Sequence, residues 1–201
     1  MLSAASAVAA AEKYGYRVAT KAIAEHLPHK SDQGLVRLNL ASARQVEDAF
    51  ADLSKRLAKY ARPSSPGEIV LQAMAPSGVE LIVGIRNEVN FGSFVIVGPG
   101  GVLVELANQA SVRLGPVDES EARAMLFETA AGKLLQGARG APACDIDAAA
   151  AAIAAFSRFG AAQSAQLSAL EINPLIASPT GAWGVDLLLD FRNDVPSEKR
   201  Q

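Results

Sequence analysis

Residues whose types and spacing suit phosphoryl chemistry fall in separate stretches of the sequence. In "SALEINPLIA", Glu171 and Asn173 stand two places apart, and the following "AWGVDLLL" carries Asp186. With Pro179 and Thr180 at a turn centre, the two stretches form an antiparallel hairpin. Asn173 then faces Asp186, because their numbers are symmetric about that turn, and Glu171 lies on the same face. Such hard oxygen donors hold magnesium, often together with substrate phosphates. The same residues would equally make the polar face of a surface hairpin.

Glu80 and Arg86 lie in "VELIVGIR" and Glu105 in "VLVEL", each inside a strongly apolar strand where a charge needs solvent, a partner or a ligand. Alternation puts Glu80 and Arg86 on one face, opposite Val79, Leu81, Val83 and Ile85. They could surround a nucleotide phosphate and its metal, or form a cross-strand ion pair. Lys21, in "YRVATKAIA", sits on or near a strand end and could contact phosphate. The stretch "EHLPHKSDQGLVRL" holds both histidines, His26 and His29, with Lys30, Ser31 and Gly34. Its residues read as a solvated loop or, more sharply, as a site where the neutral imidazole of His29 accepts a phosphoryl group.

Other chemistries lack the residues they need. Two histidines three places apart and one distant Cys144 do not make a tetrahedral zinc set or an internal disulfide. No glycine-rich run precedes Lys21 or Lys30, so there is no Walker loop, and "GPGG" lacks dinucleotide-loop spacing and reads as a turn. The 201 residues carry 19 Lys and Arg against 21 Asp and Glu, a formal net charge of -2 that argues against nucleic acid as a partner. With half of the residues hydrophobic, no disorder is expected. No window approaches the roughly twenty apolar residues that span a bilayer, so no membrane association is expected. The alanine-rich start has no basic residue before its apolar run and does not read as a signal, leaving the cytoplasm as the expected location.

The elements that must position these residues follow from the patterning. A helix over 4–13 stops near Gly15, and strands follow at "YRVATKAIA" and "VRLNL", joined by the histidine loop. Ser42 and Gln45 resemble a capping box for an amphipathic helix through Tyr60. "ARPSSPGE" breaks the pattern and places a subdomain joint near residue 64. Beyond it, "EIVLQAM" and "VELIVGIR" are expected as a hairpin on "APSG", and "FVIV" and "VLVEL" as two more strands. Helices are expected at 119–131, capped by Asp118 and Glu121, and at 147–159, ended by Gly160. The terminal hairpin with Glu171 and Asp186 completes the order, and residues 192–201 read as a polar tail.

The blocks "GYRVATKAIAEHLPHKSDQGLVRLNL", "GVELIVGIRNEVNFGSFVIVGPGGVLVEL", "VRLGPVDESEARAML", "GKLLQGARGAP" and "ALEINPL" resemble, in order and over nearly the whole chain, the ATP-grasp portion of NDP-forming acyl-CoA synthetases. The likeness is to the β subunit of ADP-forming acetyl-CoA synthetase and, more distantly, of succinyl-CoA synthetase. It implies an α+β ATP-grasp fold of two subdomains, with mixed and antiparallel sheets and flanking helices. Residues 1–64 would be a partial N-terminal subdomain with the phosphate and histidine loop. Residues 65–191 would be the C-terminal subdomain with the nucleotide and magnesium site.

By the same resemblance, Lys21 contacts phosphate, Glu80 the nucleotide or ribose, and Arg86 is a phosphate-side cation. Glu105, Asn173 and Asp186 face magnesium with Glu171 in support, and His29 matches a loop phosphohistidine. The implied reaction is acyl-CoA, phosphate and ADP giving acid, CoA and ATP. It uses ATP or ADP with Mg2+ and needs a CoA-binding α subunit or domain for the portions outside this chain. The sequence departs from the family at Ala73, where a glutamate near the adenine is usual, and it begins partway into the N-terminal subdomain. A non-catalytic module that senses nucleotide or acyl-CoA, akin to synthetase-like regions of lysine acetyltransferases, is the alternative.

Overall fold

The computed structural model describes residues 3–24, 34–60, 66–101, 109–138 and 140–192. The histidine loop with His26, His29, Lys30 and Ser31, the expected joint near 64, the "VLVEL" strand with Glu105, and the tail beyond Arg192 lie outside the described residues. The chain divides into two compact units, Met1–Met74 and Ala75–Gln201.

In the first unit, α1 (Ala4–Tyr14) begins where Ser3 accepts the Ser6 N–H and ends at Gly15, whose φ of 75° suits glycine. The two expected strands form as β1 (Val18–Ile23) and β2 (Val36–Leu40), and they pair antiparallel. Helix α2 (Ala43–Leu57) starts with Ser42 accepting the Gln45 N–H at 3.3 Å. Gln45 Oε1 reaches back to the Ala41 N–H at 2.7 Å, one residue before the usual capping-box donor.

Strand β3 (Glu68–Ala73) corrects the expected "EIVLQAM" hairpin. It pairs antiparallel with β1, Lys21 facing Val70, and closes a three-stranded sheet in the order β2-β1-β3. The alternation that marks a strand carries no information about which neighbour it takes. Val18 and Ala22 join α1 and α2 in the cores of this unit, with Leu35, Val46 and Leu53 fully buried.

Thr20 shares the face of Val18 and Ala22 and is fully buried, and among the described residues its Oγ1 has no hydrogen-bond partner. A buried hydroxyl left unpaired is a desolvation cost that an isosteric methyl removes. Thr20→Val is therefore expected to raise unfolding free energy by about 1 kcal/mol, read as a higher denaturant midpoint at unchanged slope.

The second unit is a six-stranded sheet with helices on one face. Strands β4 (Val79–Glu88), β5 (Gly92–Pro99), β6 (Ser111–Leu114), β7 (Leu167–Ser178) and β8 (Gly181–Gly184) lie in the order β6-β5-β4-β7-β8, and β9 (Leu187–Phe191) also pairs with β7. Leu81, Val83, Ile85, Val95 and Val97 bury the alternate positions of β4 and β5 against Met125, Leu126, Leu135 and Ile153. These come from α3 (Glu119–Glu128), α4 (Ala131–Leu135) and α5 (Ile146–Ala162).

The Asp118 cap is as expected, Oδ1 accepting the Glu121 N–H at 2.8 Å, but the 119–131 helix is broken at Thr129. The long helix α5 also runs past Gly160 rather than ending there. A Cβ at Gly160 would come within 2.7 Å of Ile85 Cγ2, so this glycine lets the helix approach β4. Among the described residues, no helix is long and apolar enough to cross a membrane.

Candidate functional site

The open face of the second sheet carries most of the expected residues. Glu80 and Arg86 are exposed there, opposite the fully buried Leu81 and Val83, as alternation along β4 requires. Glu171 of β7 pairs directly with Gly84, between them in sequence. A cavity of about 200 Å³ opens here, lined in part by Gly84, Arg86, Glu171, Leu188 and Asp190. A larger one, about 730 Å³, lies by Glu88, Ser168 and Arg192 and touches none of the expected site residues.

The terminal hairpin has the expected register. Ser178 faces Gly181, Ala177 faces Ala182 and Leu175 faces Gly184, so the symmetry reaches Asn173 and Asp186. Its second strand is interrupted, however, with Val185 and Asp186 standing between β8 and β9. Pro174 explains the interruption, since it has no N–H to give the ladder. Its carbonyl accepts the Val185 N–H at 3.0 Å, and the Asn173 N–H donates to the Asp186 carbonyl at 3.0 Å.

On the other side of β7 the register slips between Leu81–Leu175 and Val83–Ile172, leaving Asn173 and Pro174 opposite the single residue Ile82. This bulge lets both Ile172 and Leu175 pack in the core while Asn173 is exposed beside Glu171. Asn173 Nδ2 donates to Glu171 Oε1 at 3.1 Å, which fixes the amide plane and leaves Oδ1 as its acceptor end.

Among the described residues, no group of three His, Cys, Asp or Glu side chains gathers as metal ligands. The hairpin set instead gathers Glu171 and Asn173 through their side chains and Asp186 through its backbone carbonyl, two carboxylate residues and one amide. That is a hard-donor composition suited to magnesium shared with phosphates, and its residues are exposed or half-buried.

Arg86 Nε donates to Glu88 Oε1 at 2.5 Å. That bond and the Glu88 charge hold the guanidinium above its ordinary pKa, with Asp190 adding to the effect. The Arg86–Glu88 pair escaped the sequence reading, although two residues apart on one strand is same-face spacing. Lys21 lies in the first unit as the fourth residue of β1, inside the strand rather than at its end, and is only 5% exposed. The structure brings Glu171, Asn173 and Asp186 together and sets Glu80 and Arg86 on the same sheet, while His29 and Glu105 lie outside the described residues.

The chain belongs to the ATP-grasp domain family, which it matches over residues 1–190. Its relatives include ADP-forming acyl-CoA ligases. It is 34% identical over 177 residues to 4-hydroxybutyrate–CoA ligase (ADP-forming) of Nitrosopumilus maritimus, which is 88% of this chain and 25% of that protein. It is 31% identical over 172 residues to acetate–CoA ligase (ADP-forming) I subunit beta of Pyrococcus furiosus, 86% of this chain and 74% of that subunit. The chain thus spans a quarter of the first relative's length.

Among solved structures, Ca. Korarchaeum cryptofilum dinucleotide forming acetyl-coenzyme A synthetase 1, in complex with coenzyme A, Ca-AMPCP and HgCl+, matches with a TM-score of 0.86 at 35% identity. The match covers 96% of this chain and 83% of that one. The same enzyme with coenzyme A and Mg-AMPPCP, its phosphohistidine segment pointing towards the nucleotide binding site, matches at 0.77 and 34% identity. It covers 92% of this chain and 81% of that one. The α+β ATP-grasp expectation therefore stands.

Proposed function

We propose that this chain is the nucleotide-binding part of an ADP-forming acyl-CoA synthetase, acting with a CoA-binding α subunit or domain in the cytoplasm. The observation that carries this reading is the Glu171, Asn173 and Asp186 group formed across the Pro174 break, in a chain alike over most of its length to a ligase β subunit. The full reaction converts acyl-CoA, phosphate and ADP into acid, CoA and ATP through an acyl phosphate and a phosphohistidine.

In it Lys21 contacts phosphate, Glu80 the nucleotide, and Arg86 neutralises charge on the phosphoryl group. Asn173 and Asp186, with Glu105 and Glu171, hold the magnesium ion. That ion, when bound, neutralises phosphate oxygens, and alignment with charge neutralisation is most of what phosphoryl transfer needs. Residues 1–64 are assigned the phosphate and histidine loop and residues 65–191 the nucleotide and metal residues.

Magnesium-ATP is expected to stabilise the protein by about 2.7 kcal/mol at a hundredfold excess over its dissociation constant. Differential scanning fluorimetry with and without magnesium reads this as a rise in Tm. An unchanged Tm at millimolar nucleotide would remove the reading.

A further inference from the structure

Resting on the proposed nucleotide role of Glu80, we infer that the Gly100–Gly101 turn is the device that aims the Glu80 carboxylate, with Gly101 a positioning residue for recognition of the nucleotide's ribose. Glu80 is the second residue of β4, and the chain returns past it after β5. The Gly100 N–H donates to the Glu80 carbonyl at 2.7 Å, tying the turn to the backbone of that residue. A Cβ at Gly100 would lie 2.9 Å from both Glu80 C and Leu81 N, so a side chain there meets backbone.

Gly101 differs in what a side chain would meet. Its φ is +61°, and a Cβ would stand 2.4 Å from Glu80 Oε2 and 3.3 Å from Cδ. The bare Cα of Gly101 is therefore what leaves room for the carboxylate in its present direction.

On the β7 side, Glu80 pairs with Ile176 and Ile176 with Trp183, so Glu80 has neighbours on both flanks and solvent in front. A glutamate is a rotamer-rich side chain, and ordering it during binding costs affinity. The space left open at Gly101 lets the carboxylate take this direction without displacing a side chain, and a carboxylate with two acceptor oxygens suits vicinal ribose hydroxyls. The obstacle to a Cβ at Gly101 is the far end of an exposed side chain. Gly101→Ala should therefore swing the carboxylate aside while the fold persists, whereas Gly100→Ala would push on the strand itself.

The test uses the full chain, titrated with ATP and with 3′-deoxy-ATP in magnesium buffer. Its single tryptophan, Trp183, two strands from Glu80, provides the fluorescence signal. Gly92→Ala is the control for backbone strain, because Gly92 has a φ of +83° and a Cβ there meets nothing within 4 Å. Wild type is expected to prefer ATP over 3′-deoxy-ATP by about tenfold or more, the worth of a hydrogen bond to a charged group. In Gly101→Ala and in Glu80→Gln that preference should fall to near unity, while Gly92→Ala keeps it. Gly101→Ala with wild-type discrimination, or Gly92→Ala losing it equally, overturns the positioning role. If Glu80→Gln loses the preference in that same case, the nucleotide role of Glu80 survives it. A wild type that binds neither nucleotide overturns both.

Discussion

Asp186→Asn is expected to slow magnesium-ATP-dependent phosphoryl transfer by the assembled synthetase by about a hundred- to a thousandfold, the usual cost of deleting one charge-stabilising group. The substitution is nearly isosteric, and the Asp186 bond to the Asn173 N–H is made by the backbone carbonyl, so the break between β8 and β9 should survive. The negative charge that would face a metal ion is lost. Turnover with the CoA-binding partner supplied, over a range of magnesium concentrations, separates weaker metal binding from a slower step. Asn173→Ala should be similarly damaging, and the double variant should cost less than the sum, since the two residues act as one ligand group. Wild-type turnover in Asp186→Asn, with the fold intact by thermal melt, would exclude Asp186 from the metal site.

His29→Ala is expected to abolish covalent phosphate labelling. In the proposed step the neutral imidazole of His29 attacks the γ-phosphorus of ATP, the bond to the ADP oxygen breaks, and ADP leaves with the electron pair. The resulting phosphoramidate is acid-labile and alkali-stable, which distinguishes it from a phosphoserine at Ser31. Incubation with labelled magnesium-ATP and the partner should mark wild type and His26→Ala alike and leave His29→Ala blank. Label surviving in His29→Ala would assign the phosphate to another residue.

Much of the candidate site was legible in the sequence because strands follow a period-two rule. Alternation along "VELIVGIR" separated Glu80 and Arg86 from the buried Leu81, Val83 and Ile85. Turn chemistry at "SPTG" set the hairpin register and brought Asn173 opposite Asp186. Caps at Ser42 and Asp118 were readable for the same reason, since a side-chain oxygen three residues before a backbone N–H is local geometry. Partner choice was not readable in this way. β3 joined β1 rather than β4, and Gly160 served a close helix approach to Ile85 rather than a helix end. Both depend on what lies across space.

The division is sharpest at Asn173 and Pro174. The sequence by itself determined the residue types, the two-place spacing of Glu171 and Asn173, and the turn that pairs them with Asp186. Strict alternation would put Leu175 on the face of Glu171 and Asn173. Tertiary structure decided otherwise, through a bulge opposite Ile82 that packs the half-buried Ile172 against the same core as the buried Leu175 and leaves Asp186 outside the ladder. Proline's missing N–H makes that break possible, but only the core packed beneath β4 and β7 fixes which side chains turn inward.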